Sequence, residues 1–458
     1  MAWAHVKNGA QSGSSRGVDR RTNAFQTAIP LAEPVRARNG SVTPMSSAVA
    51  TLLISIGATA GVLVRPFRWP EAVWAVGGAA LLVGCGLLPW RDAAAAVARG
   101  GDVYLFLAGM MLLSEVARKE GLFDWLACHA VGWARGSSAR LFALIYAIGV
   151  VVTAFLSNDA TAVVMTPAVY AAARRADVDP LPSLFACAFV ANAASFVLPI
   201  SNPANLVLYG GHMPTLGDWL AAFALPSVVA IGATFAMLRF VERDRLHGAC
   251  RTEIAVPPLG GGGRLALAAI GATAVLLLCT SFADRALGPP TFVAGIITAA
   301  LVFLGRPQDA LPVLRHVSWS VLLLVAGLFV LVAGLEAIGL VDHLAAWLRD
   351  VRDPRETAAL AGGGLAIVSN LVNNLPAGLI ASATVAAAHP PQIVTDALLI
   401  GVDLGPNLSI TGSLATILWL QAIRREGEDV TFGRFLKVGV AVMPPALVLA
   451  IGARLVVG

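Results

Sequence analysis

From about residue 46 to its end the chain alternates apolar runs with short loops that carry arginine. The runs lie near 46–64, 71–89, 102–117, 183–208, 219–238, 264–283, 289–305, 319–337, 392–420 and 434–457. They lack the polar face of a soluble amphipathic helix. RLALAAIGATAVLLLCTSFA (264–283) is apolar all round and needs lipid or other helices on every side. Two regions break the pattern. Residues 140–173 and 357–388 each hold two apolar stretches interrupted by polar residues, SND at 157–159 and NN at 373–374. Neither stretch comfortably reaches the ~20 residues that a crossing helix takes. Both regions therefore read as re-entrant hairpins, which dip into the membrane and leave on the side they entered. The predicted fold is an all-α polytopic membrane protein of about ten spans, two re-entrant hairpins and interrupted helices.

An internal repeat supports this organisation. LFLAGMMLLSEVARKEGLFDWLA (105–127) aligns without a gap on LLVAGLFVLVAGLEAIGLVDHLA (323–345), so that Ala108-Gly109 falls on Ala326-Gly327 and Asp124 on Asp342. After a shift of three residues Asn158-Asp159 meets Asn373-Asn374. A duplicated unit of roughly 215 residues with five spans and one hairpin enters the membrane from opposite faces in its two copies, an inverted-topology repeat. The expected division is a first repeat at 45–238, a linker at 239–263 and a second repeat at 264–458. GLFDWLACHAVGWARG (121–136) and GLVDHLAAWLRD (339–350) read as interfacial amphipathic helices anchored by Trp125, Trp133 and Trp347, or else as ordinary connecting helices.

Composition agrees: of 458 residues, 57% are hydrophobic and only 13% charged, which excludes a soluble domain. Residues 1–44 differ, with Lys7, Arg16, Arg20, Arg21, Arg36 and Arg38 among Gly, Ser and Pro. They read as disordered, or as preceding a start at Met45. The net charge of +5 has no basic stripe or soluble module behind it, so nucleic acid is not an expected partner. The basic residues mark orientation instead. The face holding the 239–263 loop collects most of them, including Arg118, Lys119, Arg174, Arg175, Arg239, Arg243 and Arg424. The opposite face has Arg91, Arg99, Arg285, Arg349, Arg352, Arg355 and Arg454. The first face is therefore cytoplasmic.

A helix interrupted at membrane depth survives only where protein or water satisfies its backbone, usually at a site. Four such breaks stand out: LSNDAT (156–161), LVNNLP (371–376), PISNPAN (199–205) and GPNLSITGSLAT (405–416). Their short oxygen-bearing side chains are those that cap helix starts, and four half-helix ends converging near the midplane would form a polar pocket. Candidate substrate contacts are Asn158, Thr161, Ser201, Asn202, Asn205, Asn373, Asn374, Ser413 and Thr416. For the asparagines capping is the competing role, and the two are compatible. Asp159 is the acid of the first tip, and an acid at the bilayer centre costs about 2.5–3.5 kcal/mol on insertion scales. It either exchanges a proton during transport or caps the hairpin tip. The neutral Asn at the equivalent place in the second copy favours the first role. Pro167, Pro203 and Pro376 shape the breaks, and Asp403, just ahead of the fourth break, reads as gating or structural. The seven histidines and five cysteines form no ligand set, so no metal, cofactor or catalytic constellation is expected. No GxxxxGK[ST] loop occurs, and an intramembrane enzyme would need a nucleophile and base or HExxH-like ligands that no span supplies.

The stretches FLSNDATAVVMTPAV, SNPANLVL with MPTLGDWL, NLVNNLPAGLIA and GVDLGPNLSITGSLATILWLQAIRREG closely resemble the signature segments of ArsB-type arsenite efflux pumps, in order and from about residue 46 onward. The resemblance implies a multi-pass carrier of the bacterial inner membrane, within the ion transporter superfamily, that expels arsenite and antimonite. It also implies exchange for protons, and in some members pairing with a cytosolic ArsA-type ATPase. Because arsenous acid is mostly uncharged at neutral pH, a pocket of Asn, Ser, Thr and backbone groups suits it better than an arginine clamp. A sodium-coupled anion carrier or a sodium/proton antiporter of the same superfamily is the alternative.

Overall fold

The computed structural model describes residues 44–210, 213–251, 256–350 and 353–458. The reading of the N-terminal extension falls, up to residue 43, outside the described residues. Among the described residues there are twenty α-helices and no strand. The first ten are α1 (Pro44–Val64), α2 (Glu71–Gly84), α3 (Trp90–Arg99), α4 (Gly101–Lys119), α5 (Leu122–Ala134), α6 (Ser138–Phe155), α7 (Thr166–Arg175), α8 (Leu181–Ala193), α9 (Pro203–Tyr209) and α10 (Leu216–Val241). The second ten are α11 (Gly261–Phe282), α12 (Gly288–Val302), α13 (Pro307–His316), α14 (Ser320–Ala337), α15 (Leu340–Arg349), α16 (Pro354–Val372), α17 (Asn374–Ala388), α18 (Gln392–Leu404), α19 (Leu414–Arg425) and α20 (Phe432–Val457).

α10 and α20 both run for 26 residues with proline inside, and they pack against each other. α2 lies on α14, while α12 lies on α4. Both crossings depend on equivalent glycines. A Cβ at Gly109 would collide with the backbone of Thr291 in α12, and one at Gly327 with the backbone of Ala75 in α2. Small residues let helix backbones approach closely in lipid, where no hydrophobic force draws helices together. Gly109→Leu is expected to destabilise the protein by about 1–3 kcal/mol or more, measurable as a lowered unfolding midpoint in detergent.

Among the described residues six helical stretches are long and apolar enough to cross a bilayer: Ser46–Val64, Ser138–Phe155, Leu216–Val241, Gly261–Phe282, Pro307–Ala337 and Phe432–Val457. α3 and α4, bent by 48° at their junction, make a seventh. The apolar runs at 183–208 and 392–420 are each two short helices across a break. One expectation needs correction. α6 has 18 residues and is by itself long and apolar enough to cross, so the first arm of the first hairpin is not short. Trp133 on α5 and Trp347 on α15 are exposed while other faces of these helices are buried.

The helices form two sets. α1–α4 pack chiefly with α11–α14, and α6–α10 with α16–α20. The seam between the sets runs where α4 and α14 touch α9, α17 and the turn that opens α7. All four breaks lie on the second set, and each sends residues to a cavity at that seam.

Candidate functional site

The first tip is built by short capping bonds. After α6 ends at Phe155, Ser157 Oγ accepts from the Ala160 amide at 3.3 Å and Asn158 Oδ1 from the Asp159 amide at 2.9 Å. The Asn158 amide itself donates to the Ser201 carbonyl at 3.1 Å, tying this tip to the first interrupted span. The chain resumes through a π-helical turn, Ala160–Met165, a feature that recurs at functional sites. The second tip turns on one residue. Asn373 adopts φ 75°, a region a side chain enters only under strain, and its Oδ1 accepts from the Leu375 amide at 3.3 Å.

The interrupted spans are held in the same way. Asn202 starts α9, and Asn205 Nδ2 donates to the carbonyls of Ser195, Leu198 and Pro199. Ser201 Oγ donates to the Ala154 carbonyl at 3.2 Å. The second span is broken by two 3-10 turns, Gly405–Leu408 and Ile410–Gly412, and restarts at a capping box of Ser413 and Thr416. Asn192 Nδ2 reaches Asn407 Oδ1 at 3.0 Å, a bond between the two halves of the chain.

The four breaks meet at one cavity of about 20 Å³, room for roughly one water. Its wall holds Asn158 and Asp159 of the first tip, Asn374 and Leu375 of the second, Asn202 and Pro203, and Ser413, Leu414 and Ala415; Leu107 of α4 and Val321 of α14 close it. Of the residues singled out by sequence, Asn158, Asn202, Asn374 and Ser413 thus come together with Asp159 and Pro203. Thr161, Ser201, Asn205, Asn373, Thr416, Pro167 and Pro376 are not on this wall. Thr161 Oγ1 pairs with Thr153 Oγ1 at 2.8 Å and Thr416 Oγ1 donates to the Ile410 carbonyl at 2.8 Å, so their hydroxyls are spent on the frame. Asp403 stands behind the wall, where its Oδ1 accepts from Asn202 Nδ2 at 2.7 Å. The Asp159 side chain caps nothing. Among the described residues its carboxylate has no hydrogen-bond or ion-pair partner.

Two larger cavities flank this one. Asp159 also borders a space of about 60 Å³ lined by Met110, Met111, Ser114 and Ser318. Beyond Leu107 a vestibule of about 410 Å³ opens among Val103, Leu206, Phe329, Val332 and Leu379, with an Arg99–Glu336 ion pair of 3.3 Å beside it. Val103, Leu107, Met110 and Ser114 share one face of α4, which spans about 16 Å from vestibule to inner cavity. α14 runs the other way: Val321 at its start, with Ser318 just ahead of the helix, borders the inner cavities, and Phe329, Val332 and Glu336 further on border the vestibule.

Sequence reasoning missed the apolar stoppers Leu107 and Val321, which carry no signal in a chain this hydrophobic. It also missed a buried network. Arg454, grouped by sequence with the loop charges of one face, is instead buried and pairs with fully buried Asp396, Nε to Oδ2 at 2.8 Å and Nη2 to Oδ2 at 2.6 Å. Tyr209 Oη and Gln392 Nε2 donate to Asp396 Oδ1 at 2.5 and 2.8 Å. An acid inside the apolar run QIVTDALLIGVDL was the available signal.

Helices broken at depth around a shared polar cavity, with spaces on either side, define a multi-pass membrane transporter. The chain belongs to the CitMHS family, whose model, described as citrate transporter, matches residues 50–405. It is 27% identical over 358 residues to the arsenical pump membrane protein of Escherichia coli, covering 75% of this chain and 83% of that one. An uncharacterized transporter of Mycobacterium tuberculosis is likewise 27% identical, over 421 residues, 88% of this chain and 97% of that one. Among solved structures the YdaH transporter of Alcanivorax borkumensis shares the fold, with a TM-score of 0.55 and 16% identity across 90% of this chain and 97% of that one.

Proposed function

We propose that this protein expels trivalent arsenic, as uncharged arsenous acid, and antimonite across the inner membrane in exchange for protons. Asn158, Asn202, Asn374 and Ser413 contact the solute and Asp159 carries the proton. The observation behind this reading is a single unpartnered carboxylate that shares a cavity with amides and a hydroxyl and with no Arg or Lys. A neutral, hydroxyl-bearing solute needs hydrogen-bond partners rather than a counter-charge. The likeness to arsenical pumps supports the same substrate. The opposite runs of α4 and α14 along the line of cavities support an inverted repeat as the basis of alternating access. At about 20 Å³ the cavity has room for roughly one water, and carrying a larger solute requires its walls to move apart.

The family's description, citrate transporter, favours a carrier of an organic anion, and the second reading is a sodium-coupled anion carrier of this kind. Such a carrier would be expected to present paired hydroxyl and amide tips with sodium sites, whereas here an Asn-Asp tip meets an Asn-Asn tip, an asymmetry that favours proton coupling. Expression in a bacterial host stripped of its own arsenite pumps is expected to lower cellular arsenite. Unchanged accumulation would move the assignment to the sodium-coupled carrier.

A further inference from the structure

The geometry points to Asp403 as a positioning residue that fixes which way the Asn202 amide faces, and so makes the cavity wall at that place a hydrogen-bond donor. This rests on the reading that the cavity receives an oxygen-rich solute. Asn202 has two fixed contacts. Its Oδ1 accepts from the Ala204 amide at 3.0 Å, as a helix cap does, and its Nδ2 donates to Asp403 Oδ1 at 2.7 Å. A flipped amide would set N–H against N–H and oxygen against oxygen, so only one orientation satisfies both neighbours. Among the described residues one Nδ2 hydrogen remains without a partner, on a residue that lines the cavity.

Asp403 is placed for this task and little else. It is fully buried on α18, in the other half of the chain, and makes no ion pair among the described residues. Its Oδ2 is buried without a partner. A well-packed apolar side chain would suit α18 as well or better, apart from the acceptor that Oδ1 provides. Asn158 repeats the logic at the hairpin tip, since its Oδ1 is taken by the Asp159 amide and only its Nδ2 hydrogens are left to offer. Two amides that donate, beside one carboxylate that accepts, match a solute whose oxygens have lone pairs to give and whose hydroxyls have one proton to share. The same wall disfavours a bare cation, which needs several oxygens.

The test is arsenite uptake into everted vesicles, read as apparent KM and maximal rate. Asp403→Leu removes the acceptor and should raise KM by about tenfold or more, with a smaller change in maximal rate. Asp403→Asn keeps an acceptor oxygen and should stay within about threefold of the parent KM. Equal KM for Asp403→Leu and the parent overturns the inference. So does a loss in Asp403→Asn as deep as in Asp403→Leu, which would assign the effect to charge. A second measurement needs no solute: melting temperatures of purified Asp403→Leu, Asn202→Ala and the double variant should be non-additive, because the two residues share one bond. Additive shifts overturn the inference whatever the vesicles carry, whereas a parent protein that moves no arsenite overturns the transport reading alone.

Discussion

Asp159→Asn should abolish proton-driven arsenite uptake into everted vesicles while the protein remains inserted and folded. The substitution keeps size and shape, and it breaks no side-chain bond, because the Asp159 carboxylate makes none among the described residues. The tip is held by Ser157, by Asn158 and by the bond from the Asn158 amide to Ser201, all of which survive. What disappears is the one titratable group of the cavity wall. A retained capping role would have left transport intact and lowered stability, the opposite pattern. Full transport by Asp159→Asn would remove Asp159 from proton coupling.

Arg454→Leu is expected to destabilise the protein by about 3–5 kcal/mol, since it leaves the buried Asp396 carboxylate without its cation. Tyr209 and Gln392 would still donate to Oδ1, but Oδ2 would lose both of its guanidinium contacts. The damage should reach α9, whose last residue is Tyr209, and through it the first interrupted span. A second change separates the ion pair from simple packing: Arg454→Leu combined with Asp396→Leu should recover much of the loss, because replacing both members of a buried pair with apolar groups is often near neutral. Unfolding midpoints in detergent measure both. A double variant as unstable as Arg454→Leu would mean that Arg454 supports the fold through its bulk.

The breaks were legible because polar residues are expensive in a chain bound for lipid. Asn158, Asp159, Asn373 and Asn374 stand out for that reason alone. Gly109 and Gly327 were legible as a matched pair in the sequence, and each stands where two helix backbones come too close for a Cβ. The assignment of individual side chains was not legible. Asn202 and Asn205 lie three residues apart in the same motif, yet one borders the cavity and the other folds back onto three carbonyls. Capping and lining draw on the same residue types, and only the local backbone separates them. Arg454 misled because an arginine near the end of an apolar run ordinarily snorkels to the interface. The length of α6 misled because its helix begins at Ser138, before the apolar run does.

The ion pair of Arg454 and Asp396 has a consequence for biosynthesis. Its members are 58 residues apart, so when α18 leaves the ribosome its acid has no counter-charge until α20 has been made. Until then that acid must be sheltered from lipid, kept wet or protonated. Final closure of this end of the protein is a late event, set by the arrival of one guanidinium.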